Sequence, residues 1–269
     1  MTRTVYPAAQ EQLIVSLTTW KARIQNIPAV LDSIFAQTLP PDLVVLNLAF
    51  DETVPDNVQT YLETHPVEVN RVPDTKVYKK LIPTLKKYPY ACVVSIDDDW
   101  LYPPQMLEEF MRIHRQYPDH PISGNQVTSF RIPCHCGCAS LTQSRFFGKY
   151  LDWIDDAVIR NCPSDDIVYT YFTKKNGYEY IRTEHLYFEN MTPYHADAPY
   201  SAADSYTNPV QISWMYLVDR FGPAYGKSLR TFLHLFPSWL FELRRDASGR
   251  KFLRLFGKKF YLPFFSTNL

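Results

Sequence analysis

The chain has 269 residues, with 28 Lys and Arg balanced by 28 Asp and Glu, which suits one large α/β domain with an appendage rather than two full domains. Eight glycines are few for a dinucleotide cradle, and neither a Gly-x-Gly-x-x-Gly nor a Walker sequence occurs. No apolar run approaches the ~20 residues that span a bilayer. Five cysteines, three of them crowded at Cys134, Cys136 and Cys138, do not make a disulfide framework. The start of the chain shows no basic segment leading into an apolar stretch, so a cytosolic protein is expected.

Residues 13–18 form a short apolar, β-branched run, read as a strand, and residues 27–37 place Ile27, Val30, Leu31, Ile34 and Phe35 at helical spacing. Strands are expected at 43–48, 67–72 and 91–96. Helices are expected between them at 58–64 and 79–88, the second with Pro83 near its start. This alternation implies crossover connections and a mostly parallel sheet. Residues 105–117 form an amphipathic helix with Met106, Phe110 and Ile113 on one face. Residues 121–147 read as irregular strands, 165–175 as a helix capped by Ser164, and 178–183 as a strand. Residues 190–210 have the composition of an active-site loop or a linker. Further helices are expected at 210–221 and 225–243, with Gly249 breaking the pattern before a third helical segment at 250–260.

The neutral total hides an asymmetry. Residues 220–260 carry ten Lys or Arg against two acids, a net +8, so residues 1–219 carry −8. The chain is therefore divided into a domain at 1–209 and a helical, basic and aromatic tail at 210–269. A segment with Trp239, Phe241, Phe252, Phe256 and Phe260 among its cations suits an anionic membrane surface. The alternative is that these apolar residues pack on the domain or on a second subunit while the charges face water.

The most informative feature follows the strand at 91–96, where Asp97, Asp98 and Asp99 stand in succession before Trp100, Leu101, Tyr102 and a Pro103-Pro104 stop. Carboxylates this close repel one another and are costly to desolvate, so the cluster makes sense around a hard divalent cation, which in turn can clamp a diphosphate. In parallel sheets ligands bind beyond the carboxyl ends of the strands, and the triplet lies at such an end. The plainer reading is a solvated loop or a helix N-cap before Pro103.

Val93-Val94-Ser95-Ile96-Asp97-Asp98-Asp99 followed by Trp-Leu-Tyr-Pro resembles the Asp-x-Asp motif of GT-A nucleotide-sugar glycosyltransferases. Ile14-Val15-Ser16-Leu17-Thr18-Thr19 with Arg23, then Gln37, and Ser164-Asp165-Asp166-Ile167 are similar to the bacterial members that build surface polysaccharides. The resemblance covers roughly residues 12–200. It implies a GT-A, Rossmann-like, mostly parallel central sheet flanked by helices, here with a C-terminal helical extension. It also implies Mn²⁺ or Mg²⁺, a nucleotide-sugar donor, expected to be a UDP-sugar, and a glycan or glycolipid acceptor.

The resemblance further implies that Asp99 binds the cation directly and that Asp97 contacts the ribose or reaches the cation through water, with Asp98 between them. His195 would be a further metal ligand, with Asp197 as a fallback. Of the acidic pair, Asp166 would take the proton from the acceptor hydroxyl in an inverting displacement, and Asp165 would bind or orient the acceptor. Read from the residues alone, the pair is equally an ordinary acidic helix start behind a Ser cap. Thr18, Thr19 and Arg23 would hold the base and ribose, Asp74 would accept a hydrogen bond from uracil, and Lys80 would offset phosphate charge.

The rival readings are a retaining transferase of the same fold, a sugar nucleotidylyltransferase and a non-catalytic peripheral membrane protein. The second normally needs a Gly-rich basic loop after the first strand, where this chain has Thr18-Thr19-Trp20-Lys21-Ala22-Arg23. Cys134-His135-Cys136-Gly137-Cys138 lacks the second ligand pair that zinc needs. It reads as a strand and turn, with Gly137, Ala139 and Ser140 allowing close backbone approach to the donor sugar. The expected location is the inner face of the cytoplasmic membrane. No nucleic-acid partner is expected, and self-association is left open.

Overall fold

The apolar run that opens the sequence becomes β1 (Leu13–Thr18), an inner strand buried on both faces, which is why it shows no polar alternation. A computed structural model of the chain describes residues 11–124, 135, 138–183, 186, 189–191, 209–224, 242–245, 251–255 and 258–261. These residues fall into two units, 1–224 and 225–269.

In the first unit β1 leads through a helical turn at Ile24–Asn26 into α1 (Ile27–Phe35), whose Ile27, Val30, Leu31 and Ile34 are fully buried. There follow β2 (Leu43–Ala49), α2 (Asp56–Thr64), β3 (Val67–Val72), α3 (Ile82–Lys87) and β4 (Cys92–Ile96). The four strands lie in the order β3-β2-β1-β4, all parallel, with Ile14 beside both Leu43 and Val93. After the short β5 (Trp100–Leu101), α4 (Met106–Gln116) buries Met106, Leu107, Phe110 and Ile113. Next come β6 (Ile122–Ser123), β7 (Ala139–Thr142), α5 (Ser144–Phe147), α6 (Asp156–Asn161), α7 (Asp165–Lys175) and β8 (Ile181–Arg182). β7 runs antiparallel to β4 and β6, and β8 completes the seven-stranded sheet beside β6. β9 (Glu189–Asn190) pairs with β5, and α8 (Pro209–Phe221) packs on α6 and α7. Helix α7 buries Ile167, Val168, Tyr169, Tyr171 and Phe172, as a helix enclosed by protein must.

A polar layer crosses this core. Ser16 Oγ donates to the Lys80 carbonyl at 2.6 Å and shares a 2.6 Å hydrogen bond with Thr84 Oγ1. Asn47 Nδ2 reaches Ser16 Oγ at 3.1 Å and Thr84 Oγ1 at 2.9 Å, and Asn70 Nδ2 donates to the side-chain Oδ1 of Asn47 at 2.8 Å. The hydroxyls and amides of this layer satisfy one another, so it is tolerated. Its effect is to fix the 3-10 turn Lys76–Lys80 against β1 and β2.

Five expectations are corrected. The helix at 79–88 is instead that 3-10 turn followed by α3, because Pro83 lacks an N–H and fits only in the first turn of a helix. Ser164 precedes α7 but makes no side-chain cap; its own N–H is satisfied by Ser213 Oγ on α8 at 3.0 Å. The expected helical tail is strand wherever its second unit is described: β10 (Glu242–Arg245), β11 (Lys251–Leu255) and β12 (Lys258–Tyr261) make an antiparallel sheet of their own. Gly257 splits the basic and aromatic sequence into two runs too short for helix nucleation but adequate for strands. The division between units falls after Ala224, so α8 belongs to the first. Of the region 121–147, the described part gives β6 and β7 but also α5.

Helix α8 is held by Arg220, whose two terminal nitrogens reach the Asp155 carboxylate at 2.9 and 2.6 Å, while Asp155 Oδ1 also accepts from the Val158 N–H at 3.0 Å as the cap of α6. These contacts, the Arg220 fork foremost, hold the Asp155 carboxyl at about 2. Asp155→Ala is expected to cost about 1 kcal/mol in urea unfolding, mostly through the lost cap, since the exposed ion pair is screened by water. The depressed pKa makes this contribution present above pH ~4 and lost as pH falls towards 2. The gap between wild type and variant should close over that window.

Candidate active site

The three consecutive aspartates form the turn that leaves β4, at the carboxyl edge of the parallel strands. The turn is braced from three sides. The Asp97 N–H donates to the Tyr102 hydroxyl at 3.0 Å, and that hydroxyl donates to the Cys138 carbonyl at 2.6 Å. Asn26 Nδ2 reaches the Asp98 carbonyl at 3.3 Å. Gln37 bonds the Pro103 carbonyl at 2.9 Å and receives the Leu107 N–H at 3.0 Å, capping α4 just beyond the turn. Gln37 thus acts on the triplet through the backbone that follows it.

The carboxylates face two different cations. Arg23 Nη1 lies 3.1 Å from Asp98 Oδ1 and 2.9 Å from Asp99 Oδ2. Lys80 Nζ lies 3.0 Å from Asp97 Oδ1 and 3.0 Å from Asp165 Oδ2, so it joins the strand end to the first turn of α7. Burial works against the Lys80 ammonium, yet Asp165 and Asp97 outweigh it and hold its pKa well above the usual lysine value. Burial pushes the Asp165 carboxyl up more than its share of that ammonium pulls it down. Burial likewise raises Asp98, against the Thr19 hydroxyl, 2.6 Å from Oδ2, and against Arg23. Asp99 is pushed up to about 6 by burial and by the charges of Asp97 and Asp98, with Arg23 opposing.

One atom bears on a divalent cation. Asp99 Oδ1 is buried and has no hydrogen-bond partner. A dehydrated, unpaired carboxylate oxygen is costly by itself and is the donor type that a hard cation takes. Asp97 is the most open of the triplet, its side chain 29% exposed. Asp99 and Asp97 therefore fit as ligands. His195 and Asp197 lie outside the described residues, as do Cys134, Cys136 and Gly137.

The other sequence-predicted residues divide. Thr19 and Arg23 join the triplet, as does Lys80. The Thr18 hydroxyl donates to the Asn47 carbonyl at 2.7 Å and so ties β1 to β2 at the same edge. Asp74 lies in the connection that follows β3. Its carboxylate is taken first by Lys79 and also by the Lys76 N–H at 3.0 Å, which together hold its pKa below the ordinary value. Asp166 is half-buried as the second residue of α7, where its carbonyl accepts from Thr170 Oγ1 at 2.7 Å. Sequence reasoning missed the Lys80–Asp165 pair, Asn26 and Tyr102. The available signal for Lys80 was Ser16 inside an otherwise apolar strand, since a hydroxyl there demands a partner and this one takes the Lys80 carbonyl.

No protein-family profile matches this sequence, and no curated protein matches it. Solved structures match by shape. A mannosyltransferase from Pyrobaculum calidifontis, PcManGT, in complex with GDP-Man and Mn²⁺, superposes with a TM-score of 0.54 at 17% identity, over 86% of this chain and 80% of that one. S. aureus TarS 1–349 with UDP gives 0.47 at 11% identity over 65% of this chain, which spans only 59% of the TarS chain. A 4-diphosphocytidyl-2C-methyl-D-erythritol synthase gives 0.39 at 14% identity. The likeness to the mannosyltransferase shows the fold: a GT-A, Rossmann-like α/β sheet.

Lys80→Met leaves Asp97 and Asp165 without their shared cation. Removing one partner of a buried ion pair typically costs about 3–5 kcal/mol. Urea unfolding should show a loss of that size; a loss under about 1 kcal/mol, the range of exposed pairs, would mean that the bridge carries no structural weight.

Proposed function

We propose that the chain is a metal-dependent glycosyltransferase that moves one sugar, with inversion, from a nucleotide donor to a surface-glycan or lipid-linked acceptor, a UDP-sugar being the first donor to test. The observation that carries this reading is the strand-end triplet joined through Lys80 to the acidic start of α7, on a sheet of GT-A type. The mannosyltransferase of similar fold binds GDP-Man with Mn²⁺, so guanosine donors belong in the same screen.

Asp99 and Asp97 would hold the divalent cation, with His195 a further ligand. When bound, such a cation neutralises charge on a departing diphosphate. Thr18 and Arg23 border the place for base and ribose, Asp74 the place for a uracil edge, and Asp98 stays locked to Thr19 and Arg23 as the anchor of the turn. Asp166 is the base: it takes the acceptor hydroxyl proton as that oxygen attacks the anomeric carbon and the bond to the diphosphate breaks. Asp165 is less suited, because it is more buried and already paired with Lys80. It holds the start of α7, and with it Asp166, in place.

The test is slow donor hydrolysis with Mn²⁺ across UDP- and GDP-sugars, read as released nucleoside diphosphate. Wild-type protein should consume one donor class. Asp99→Ala should abolish Mn²⁺-dependent nucleotide binding in calorimetry, and Asp166→Asn should keep that binding while transfer falls roughly 10²–10⁴-fold. Unchanged turnover in Asp166→Asn would place the base elsewhere, and a chain that spends no donor would end the transferase reading.

The segment 220–260, with its net charge of +8, supports contact with an anionic membrane surface, where each cation contributes about 1 kcal/mol. Co-sedimentation with anionic vesicles should be strong at low salt and weaken at high salt, because the Debye length is about 8 Å at physiological ionic strength. A 269-residue chain that ignores anionic vesicles at low salt would remove this contact.

A further inference from the structure

The two ion pairs that Arg23 makes with the triplet are not equivalent. Asp98 is fixed twice over, by the Thr19 hydroxyl on Oδ2 at 2.6 Å and by Arg23 on Oδ1 at 3.1 Å. Asp99 has Arg23 on Oδ2 at 2.9 Å, while its Oδ1 is buried and unpartnered. Arg23 in turn spans both carboxylates with the single nitrogen Nη1, and its Nε is buried without a partner. A guanidinium is best satisfied by a two-pronged fork on one carboxylate. Here it is stretched across two and leaves one donor on itself and one acceptor on Asp99 unused. The Trp20 carbonyl, bonded by the N–H groups of Arg23 at 2.8 Å and of Ile24 at 3.0 Å, fixes the backbone below it. Only the side chain has freedom to settle on one partner.

We infer that Arg23 is a built-in competitor for the divalent cation: without the ion it neutralises Asp99, and it must yield Asp99 and withdraw to Asp98 before the ion can be bound. This rests on the metal-dependent reading of the site and adds to it that metal affinity is set by an internal cation. Asp98 keeps Arg23 nearby through either state, which gives the middle aspartate its role. Two positive charges on one small carboxylate repel strongly in a partly buried setting, where the side chains of Arg23 and Asp99 are 15% and 12% exposed.

The experiment is Mn²⁺ titration without nucleotide, read by loss of the free-ion electron paramagnetic resonance signal, on wild type, Arg23→Gln and Arg23→Lys, with the same titration repeated in UDP. Arg23→Gln should bind Mn²⁺ about tenfold more tightly, the worth of one charge-assisted hydrogen bond relinquished, and Arg23→Lys should fall between. Equal or weaker binding by Arg23→Gln, with wild type still binding, overturns the competition and leaves the metal-dependent reading standing. If no form binds Mn²⁺ with or without UDP, both fail together. Should Arg23→Gln not fold, wild-type protein decides the matter: on addition of diamagnetic Mg²⁺ the Arg23 Nε–H resonance should shift, and a resonance that stays fixed while Mg²⁺ binds refutes the exchange.

Discussion

A lysine only 4% exposed is tolerable inside a protein only if anions surround its ammonium and its own backbone is held still. Lys80 meets both conditions, and most of the site depends on it. Its carbonyl is pinned by Ser16, and its ammonium is divided between Asp97 at the end of β4 and Asp165 at the start of α7. The strand end and the helix start come from separate halves of the chain. Without that shared cation Asp97 and Asp165 would face each other uncompensated, and the buried Asp165 would weaken the hold of α7 on the sheet.

The polar layer beneath Lys80 explains why hydroxyls and amides occupy strands that are otherwise apolar. Ser16, Asn47, Asn70 and Thr84 satisfy one another, so little is lost by burying them, and together they give the turn Lys76–Lys80 a single position. The functional edge of the sheet is thus set from inside the core, by packing and hydrogen bonds, before any ligand contributes. At the opposite end of β4 a second knot works the same way: Glu11 receives Gln143 at 3.0 Å and lies 2.8 Å from His114 Nε2 and 3.5 Å from the Cys92 thiol. Its carboxylate is satisfied by these donors, which makes it a tie for the start of the sheet.

The triplet itself has a division of labour. Asp98 is spent on structure, held by Thr19, Arg23 and Asn26. Asp97 and Asp99 keep capacity, the first through its exposure and the second through an oxygen without a partner. Consecutive aspartates in a tight turn point in different directions, and this lets one anchor the turn while its neighbours meet other partners.

The sequence by itself determined the parallel core, the position of the triplet at a strand end and the helix that begins at Asp165, because each follows from local periodicity or from an apolar run and its terminus. It did not determine which cation faces which carboxylate. Arg23 lies 75 residues from Asp98 along the chain, and Lys80 is as remote from Asp165; crossover connections bring them together, and no local pattern records the meeting. The tail failed for a related reason. Short basic and aromatic runs satisfy helical and strand spacing almost equally, and pairing with neighbouring strands, a non-local interaction, decided for the sheet β10-β11-β12. Periodicity encodes what a segment buries, whereas the site is made of charges whose partners only the tertiary structure supplies.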